Sequence, residues 1–305
     1  MSGPGLAGLE VISRQPPEKV SRRDTPLLFL HGAYAAAWCW DEHFLSFFAG
    51  HGYACHALSF SGHGSSAGRE RLDSFGIDHY VQDVARVVAQ LPAPPVLIGH
   101  SMGGMVAQKY LERRPQGRPK GGAAASLSEP NGGEQSSPPS SGRGMGGRPG
   151  DAAGLVLLAS VPPQGLWSAA LGLAFQRPGM LSDLNRLLGG GRVALDTLRE
   201  AMFAQPVETA DLARWYKRMQ PESHRAIWDM TLFNLPLKSR MNLPPLLVLG
   251  AEHDHLIPAS QVEMTARHYG VAAEIFAGMG HGMMLERDWA QVAGRILAWL
   301  GEQGL

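Results

Sequence analysis

Two cysteines in 305 residues, Cys39 and Cys55, leave no room for a disulfide framework, and neither belongs to a CxxC pair of the metal-binding kind. Long hydrophobic runs are missing as well. Stretches such as Leu155–Val161 and Leu246–Leu249 fall far short of the roughly 20 apolar residues that cross a bilayer as a helix. The opening MSGPGLAGLEVISRQPPEKVSRRD has no continuous apolar core of signal-peptide length. Net charge is absent too, since Lys+Arg and Asp+Glu each number 27. With no basic run in the part expected to fold, there is no electrostatic ground for a nucleic-acid partner. The expectation is a cytoplasmic protein with reduced thiols and no stable membrane insertion; no protein partner is inferred.

What is present is a chain that is 44% hydrophobic, enough to bury a sizeable core. Short apolar runs alternate with helix-length segments, the pattern of an α/β domain with a mostly parallel sheet covered on both faces. Strands are expected at Leu27–Leu30, Tyr53–Leu58, Val96–Ile98, Leu155–Ala159, Leu246–Leu249 and Ala273–Phe276, with an edge strand near Leu9–Ser13. Helices are expected at Asp41–Ala49, Phe75–Leu91, Met102–Arg114, Ala259–His268 and Ala290–Leu300.

Two stretches interrupt this order. Residues 116–150 are Gly, Pro, Ser and Arg with almost no large apolar side chain, and are expected to be a disordered insertion between a helix and the next strand. Residues 162–240 separate two strands by far more than a crossover needs. They carry helix-like segments at Leu181–Leu188, Val193–Ala204 and Asp211–Gln220 and are rich in Met, Trp and Phe. This stretch is expected to be a helical cap over a core made of 1–161 and 241–305, with a few of its apolar side chains facing the cleft.

The most informative segment is VLIGHSMGGMVAQKYLE, residues 96–112. Gly99-x-Ser101-x-Gly103 between a buried strand and a helix is a nucleophile elbow, in which glycines let strand and helix approach and the serine hydroxyl is lifted above the sheet edge. A serine needs a base, and the base a partner that sets its tautomer. Folds with this elbow place them in the chain order Ser, Asp or Glu, His. PLLVLGAEHDHLIP offers Glu252 and Asp254 just past a strand, and FAGMGHGMMLE places His281 in a Gly-rich loop after the last strand. Asp254 is preferred because it lies further along the turn toward Pro258, leaving Glu252 as a loop or helix-capping residue. The oxyanion donors are assigned to the backbone N–H groups of Met102, directly after the serine, and of Ala33 in His31-Gly32-Ala33-Tyr34, ahead of its neighbour Tyr34. Tyr34 and His100 are candidate walls of the substrate pocket.

Four blocks carry a resemblance to the α/β-hydrolase superfamily: LFLHGAYAAAWCW, ALSFSGHGSS, LIGHSMGG, and the pair GAEHDHLIP and GMGHGMMLE. The first block is similar to that of plant methylesterases and hydroxynitrile lyases, the last to bacterial lysophospholipase-like hydrolases. Two departures stand out: the 116–150 insertion, and Ser59 where many members carry Asp in DxxGHGxS, which implies a locally different turn. Serine at the elbow argues against dehalogenases and epoxide hydrolases, which use aspartate there. Gly282 follows His281 where hydroxynitrile lyases of this fold have lysine. The resemblance implies a serine hydrolase acting on a small-molecule carboxylic ester, thioester or lactone with a mostly apolar group, requiring no metal and no cofactor. Perhydrolysis, C–C bond hydrolysis, acyl transfer to another acceptor, and a ligand receptor with little turnover are the alternatives.

Overall fold

The computed structural model describes residues 6–112, 151–167 and 194–305. The expected 116–150 insertion and the expected helix at Leu181–Leu188 lie outside them. Among the described residues seven strands form one sheet: β1 (Glu10–Arg14), β2 (Leu27–Leu30), β3 (Cys55–Ser59), β4 (Val96–His100), β5 (Gly154–Leu158), β6 (Leu246–Ala251) and β7 (Ala273–Phe276). Their spatial order is β1-β3-β2-β4-β5-β6-β7. Only β1, at one edge, runs antiparallel; every other pairing is parallel.

The central strands are buried along their whole length, so their residues alternate between two apolar layers rather than between core and water. Leu27, Phe29, Val96, Ile98, Val156 and Leu158 face one layer. Leu28, Leu30, Leu97, Leu155 and Leu157 face the other. The first layer is filled by α1 (Trp38–Asp41), α2 (Phe44–Gly50) and the last helix, α9 (Trp289–Glu302). The second holds α3 (Ile77–Val88), α4 (Met102–Glu112) and α8 (Ala259–Tyr269). Helix α3 shows why such a segment packs: Ile77, Tyr80, Val81, Val84, Val87 and Val88 recur at helical spacing and are all buried. Helix α4 follows the elbow directly and is buried on nearly every face.

Two boundaries differ from expectation in ways that matter below. The helix expected at Asp41–Ala49 is two pieces, because His43 leaves the helical region at φ −141°. Its ring stacks on Trp289 at 4.7 Å, while Glu42 is drawn to Arg214 and Arg218. In the 194–240 stretch, α5 (Leu195–Met202), α6 (Thr209–Arg218) and α7 (His224–Trp228) follow one another, and a π-helical turn at Asp229–Phe233 continues from α7. Helix α6 ends two residues before the expected Gln220: Met219 is already extended, and Pro221 disfavours the helical region at the residue before it.

This stretch is fastened to the helices that cover the sheet at several points. Asp229 accepts from the Ile77 N–H (3.0 Å) at the start of α3, and Arg214 makes a two-pronged contact with Glu42 (2.6 and 2.7 Å). Among the described residues no helix is long and apolar enough to cross a membrane.

Candidate active site

Ser101 sits between β4 and α4 at φ 52°, a left-handed conformation that few non-glycine residues adopt. The neighbouring glycines make this turn sterically feasible. A Cβ on Gly99 would stand 2.6 Å from the Gly103 carbonyl. One on Gly103 would strike the Leu30 carbonyl and come within 2.6 Å of the His31 carbonyl. The end of β5 grips the turn from the side: the Ser101 N–H donates to the Leu158 carbonyl (3.1 Å), and the Ser101 carbonyl accepts from the Val161 N–H (3.1 Å). Ser101 is half-buried, and it lies where the free N–H groups of α4 begin.

Beyond β6 and β7, two loops bring His281 and Asp254 together. The Nδ1–H of His281 donates to Asp254 Oδ2 (2.7 Å), and both residues are 3% exposed, so water competes little for this bond. Asp254 Oδ1 is held in turn by the N–H groups of Leu256 and Ile257 (2.8 Å each). An ionised carboxylate only accepts, so the pairing assigns the proton to Nδ1 and leaves Nε2 of His281 as the basic nitrogen. Glu252 stands apart: its half-exposed carboxylate accepts from the Gly278 N–H (2.9 Å).

The His281 loop is tied to the elbow through His100. The His100 ring packs on the His281 ring at 4.6 Å between centroids, and its Nε2–H donates to the His281 carbonyl (2.9 Å). Burial, aided by the facing His281, holds His100 well below the usual histidine range, so it is neutral. His100 is 4% exposed and wedged between the elbow and the His281 loop. Gly32 lies against the same pair: a Cβ there would come within 2.9 Å of His100 Nδ1 and 3.1 Å of Ser101 Cβ. That contact brings the loop after β2, with Ala33 next in line, up to the serine.

His31 orients this loop. Its Nδ1–H donates to the Gly32 carbonyl (2.8 Å) and its Nε2 accepts from the Phe60 N–H (3.1 Å), the pattern of a neutral ring. Burial and the nearby His63 push its pKa down to about 3. A trans peptide points its C=O and N–H in opposite directions, so pinning the Gly32 carbonyl sets the direction of the Ala33 N–H. Tyr34, at φ 64°, is partly buried. Burial and Glu222 push its phenol well above the ordinary tyrosine value.

Several residues that support the site escaped the sequence reading. Glu286 is fully buried and accepts from the N–H groups of Ala204 (2.8 Å), Gln205 (3.2 Å) and Gly280 (2.7 Å), tying the segment after α5 to the His281 loop. Burial raises its pKa, partly offset by those three donors. Glu222 receives His63 Nε2–H (3.0 Å), the Tyr80 hydroxyl (2.8 Å) and the Ser223 N–H (2.8 Å). Burial alone would raise the Glu222 pKa, but facing His63 and these donors carries it below the usual range. No local pattern announces such contacts, since Glu222 and His63 are 159 positions apart.

The turn at Ser59 shows how the chain manages without aspartate there. The Ser59 hydroxyl donates to Glu10 Oε2 (2.5 Å), which also accepts from the Ser65 N–H (3.2 Å). A carboxylate from the antiparallel edge strand β1 thus serves the turn. Asp83 of α3 takes the N–H and hydroxyl of Ser61 (2.8 and 3.0 Å).

The strand order, the strained serine at the carboxyl end of β4, and a buried His–Asp pair on the loops after β7 and β6 are the arrangement of an α/β-hydrolase. The model of the alpha/beta hydrolase family matches residues 27–295, and the chain belongs to that family. It is 37% identical over 94 residues to a non-heme haloperoxidase of Rhodococcus erythropolis, a match covering 30% of this chain and 33% of that protein. It is likewise 37% identical over 95 residues to a bifunctional esterase/perhydrolase of Acinetobacter calcoaceticus, covering 30% and 33%. These matches span about a third of each relative's length. Among solved structures, an esterase from Exiguobacterium antarcticum superposes with a TM-score of 0.62 at 17% identity, covering 96% of this chain and 95% of that one.

Proposed function

We propose that the protein is a serine hydrolase cleaving a carboxylic ester of a small molecule. The observation that carries this reading is the buried bond from His281 Nδ1 to Asp254 (2.7 Å), on a loop locked through His100 to a strained Ser101. Nε2 of His281 takes the hydroxyl proton of Ser101 as Oγ attacks the ester carbonyl. Asp254 keeps the proton on Nδ1 and stabilises the imidazolium that forms. The N–H groups of Met102 and Ala33 receive the oxyanion, whose charge exists only in the tetrahedral species and is therefore stabilised selectively. His281 then protonates the departing alkoxide, and water, deprotonated by the same nitrogen, frees the acid. Of the described residues, 194–240 serve as the cap. Met202 and Phe203, which pack against Gly280 and Gly282, with Trp215 stacked on Phe203 (5.6 Å), favour an apolar acyl or alcohol group. Two buried free thiols fit a cytoplasmic setting.

The test is labelling by a fluorophosphonate, followed by hydrolysis of p-nitrophenyl esters of increasing chain length. Modification confined to the Ser101 peptide, and lost in Ser101→Ala, is the expected result. A folded protein that neither labels nor hydrolyses would remove the reading. Similarity to a haloperoxidase and an esterase/perhydrolase supports a second use of the same serine, with hydrogen peroxide replacing water in deacylation. Assaying peracid formation from a carboxylic acid and peroxide separates the two.

A further inference from the structure

Two successive carbonyls of the loop after β2 take their donors from one residue of the 194–240 stretch. The Gln220 N–H donates to the Tyr34 carbonyl (3.1 Å), and Gln220 Nε2 donates to the Ala35 carbonyl (3.1 Å). The Oε1 of the same side chain accepts from the Gly64 N–H (3.1 Å) and from Arg69 Nη2. Gln220 therefore bridges the loop that carries Ala33 and the turn at Gly62–Gly64. It is free to do so because α6 ends at Arg218, with Met219 already extended, and Pro221 follows.

The stretch it holds is under strain. The Ala35 N–H donates to the Gly32 carbonyl (3.4 Å), closing a four-residue turn whose third residue is Tyr34 at φ 64°. Turns of this type reserve that position for Gly or Asn. A tyrosine stays there only when its surroundings over-determine the conformation, and Gln220 pins the two carbonyls that follow the strained φ, those of Tyr34 and Ala35.

We propose that Gln220 is a positioning residue for ester cleavage, holding the Gly32–Ala35 turn in the form that presents the Ala33 N–H to the oxyanion. This rests on the reading above, in which Ala33 and Met102 supply the donors. When the grip is lost, the Ala33–Tyr34 peptide rotates to return Tyr34 to negative φ, and the turn shifts away from Ser101. The carbonyl oxygen gains its charge only in the transition state, so a displaced donor lowers turnover while substrate affinity is kept.

Gln220→Ala removes both side-chain roles, whereas Gln220→Glu keeps an acceptor for Gly64 and Arg69 but has no donor for Ala35. With the full chain and p-nitrophenyl butyrate, both variants should lose roughly 10- to 100-fold in kcat, less than deletion of an oxyanion donor outright. KM should stay within about threefold. The inhibition constant of a trifluoromethyl ketone, which forms a tetrahedral adduct with a serine hydroxyl, should rise in parallel with the loss in kcat, with the melting temperature preserved. Unchanged kcat in both variants overturns the proposal. So does wild-type turnover in Gln220→Glu alone, which would locate the effect in the Gly64 and Arg69 tether, and so does a rise confined to KM. A wild-type chain that neither labels at Ser101 nor hydrolyses esters fails at the earlier step, and overturns the ester-cleavage reading itself.

Discussion

Replacing Asp254 by Asn changes one atom and reverses the hydrogen-bond logic of the site. In the native protein Oδ1 accepts from the N–H groups of Leu256 and Ile257 and Oδ2 accepts from His281 Nδ1–H. Asparagine has one acceptor and one donor end, so its orientation is a choice. Turning the NH₂ toward Leu256 and Ile257 would set it against two buried donors, each costing about 1–3 kcal/mol when left unpaired. Turning it toward His281 costs little, because the imidazole can move its proton to Nε2 and accept at Nδ1. The second orientation wins by roughly 2–6 kcal/mol. It leaves Nε2 protonated and unable to take the Ser101 proton. In serine-protease triads the same substitution lowers kcat about 10⁴-fold, near 5.5 kcal/mol of transition-state stabilisation, and that is the expected loss. Folding should suffer far less, since the two backbone donors remain satisfied. Steady-state kinetics at neutral pH, paired with urea unfolding, measures both quantities. Turnover within tenfold of wild type would refute the assignment of Asp254 as the partner of His281. Glu252→Gln, altering a carboxylate committed to Gly278, should leave turnover within about threefold and serves as the paired control.

Three further outcomes are expected. Gly103→Ala drives a Cβ into the backbone carbonyls of Leu30 and His31, neither of which can yield without moving β2. Unfolding in urea should show a loss of about 1–3 kcal/mol, and an unaltered midpoint would contradict the packing described for the elbow. Glu286→Gln sets an NH₂ against one of the three N–H groups that the carboxylate now receives. A loss of about 1–3 kcal/mol with reduced kcat is expected, and a variant as stable and active as wild type would show that the link between Gly280 and Ala204 carries nothing. His31 titrates near 3 in the folded chain against 6.5 in its ordinary state. Between those values the unfolded chain binds a proton that the native one does not, so stability declines as pH falls through that window. At pH 5 this one residue removes about 2 kcal/mol relative to neutral pH. Urea midpoints that coincide at pH 7 and pH 5 would refute a buried neutral His31.

Much of the molecule is legible in the sequence. The sheet could be read because parallel central strands such as Leu27–Leu30 are continuous apolar runs; Leu27–Leu30 and, at the edge, Ala273–Phe276 have their expected ends. The elbow was legible for a local reason as well: Gly99, Ser101 and Gly103 answer to steric demands set by their immediate neighbours. His281 and Asp254 could be nominated from position, since loops after successive strands share one rim of a parallel sheet. That they meet at 2.7 Å, with Glu252 turned to Gly278, depended on the turn into Pro258 and on how two loops pack.

The remaining support for the site is invisible in sequence because it joins distant segments through single contacts. Glu10 stands in for the missing aspartate at Ser59 only because β1 lies beside β3. Glu286 meets Ala204, and Glu222 meets His63 and Tyr80, without any periodicity to announce them. Helical spacing alone reads Asp41–Ala49 as one helix, since it is blind to the His43 ring stacking on Trp289. Sequence by itself determined what short-range rules govern: strand and helix periods, the glycine steric code of the elbow, and the chain order of the candidate catalytic groups. Only tertiary structure decided which buried carboxylate meets which donor, because that depends on burial and on directions set by the whole packed fold.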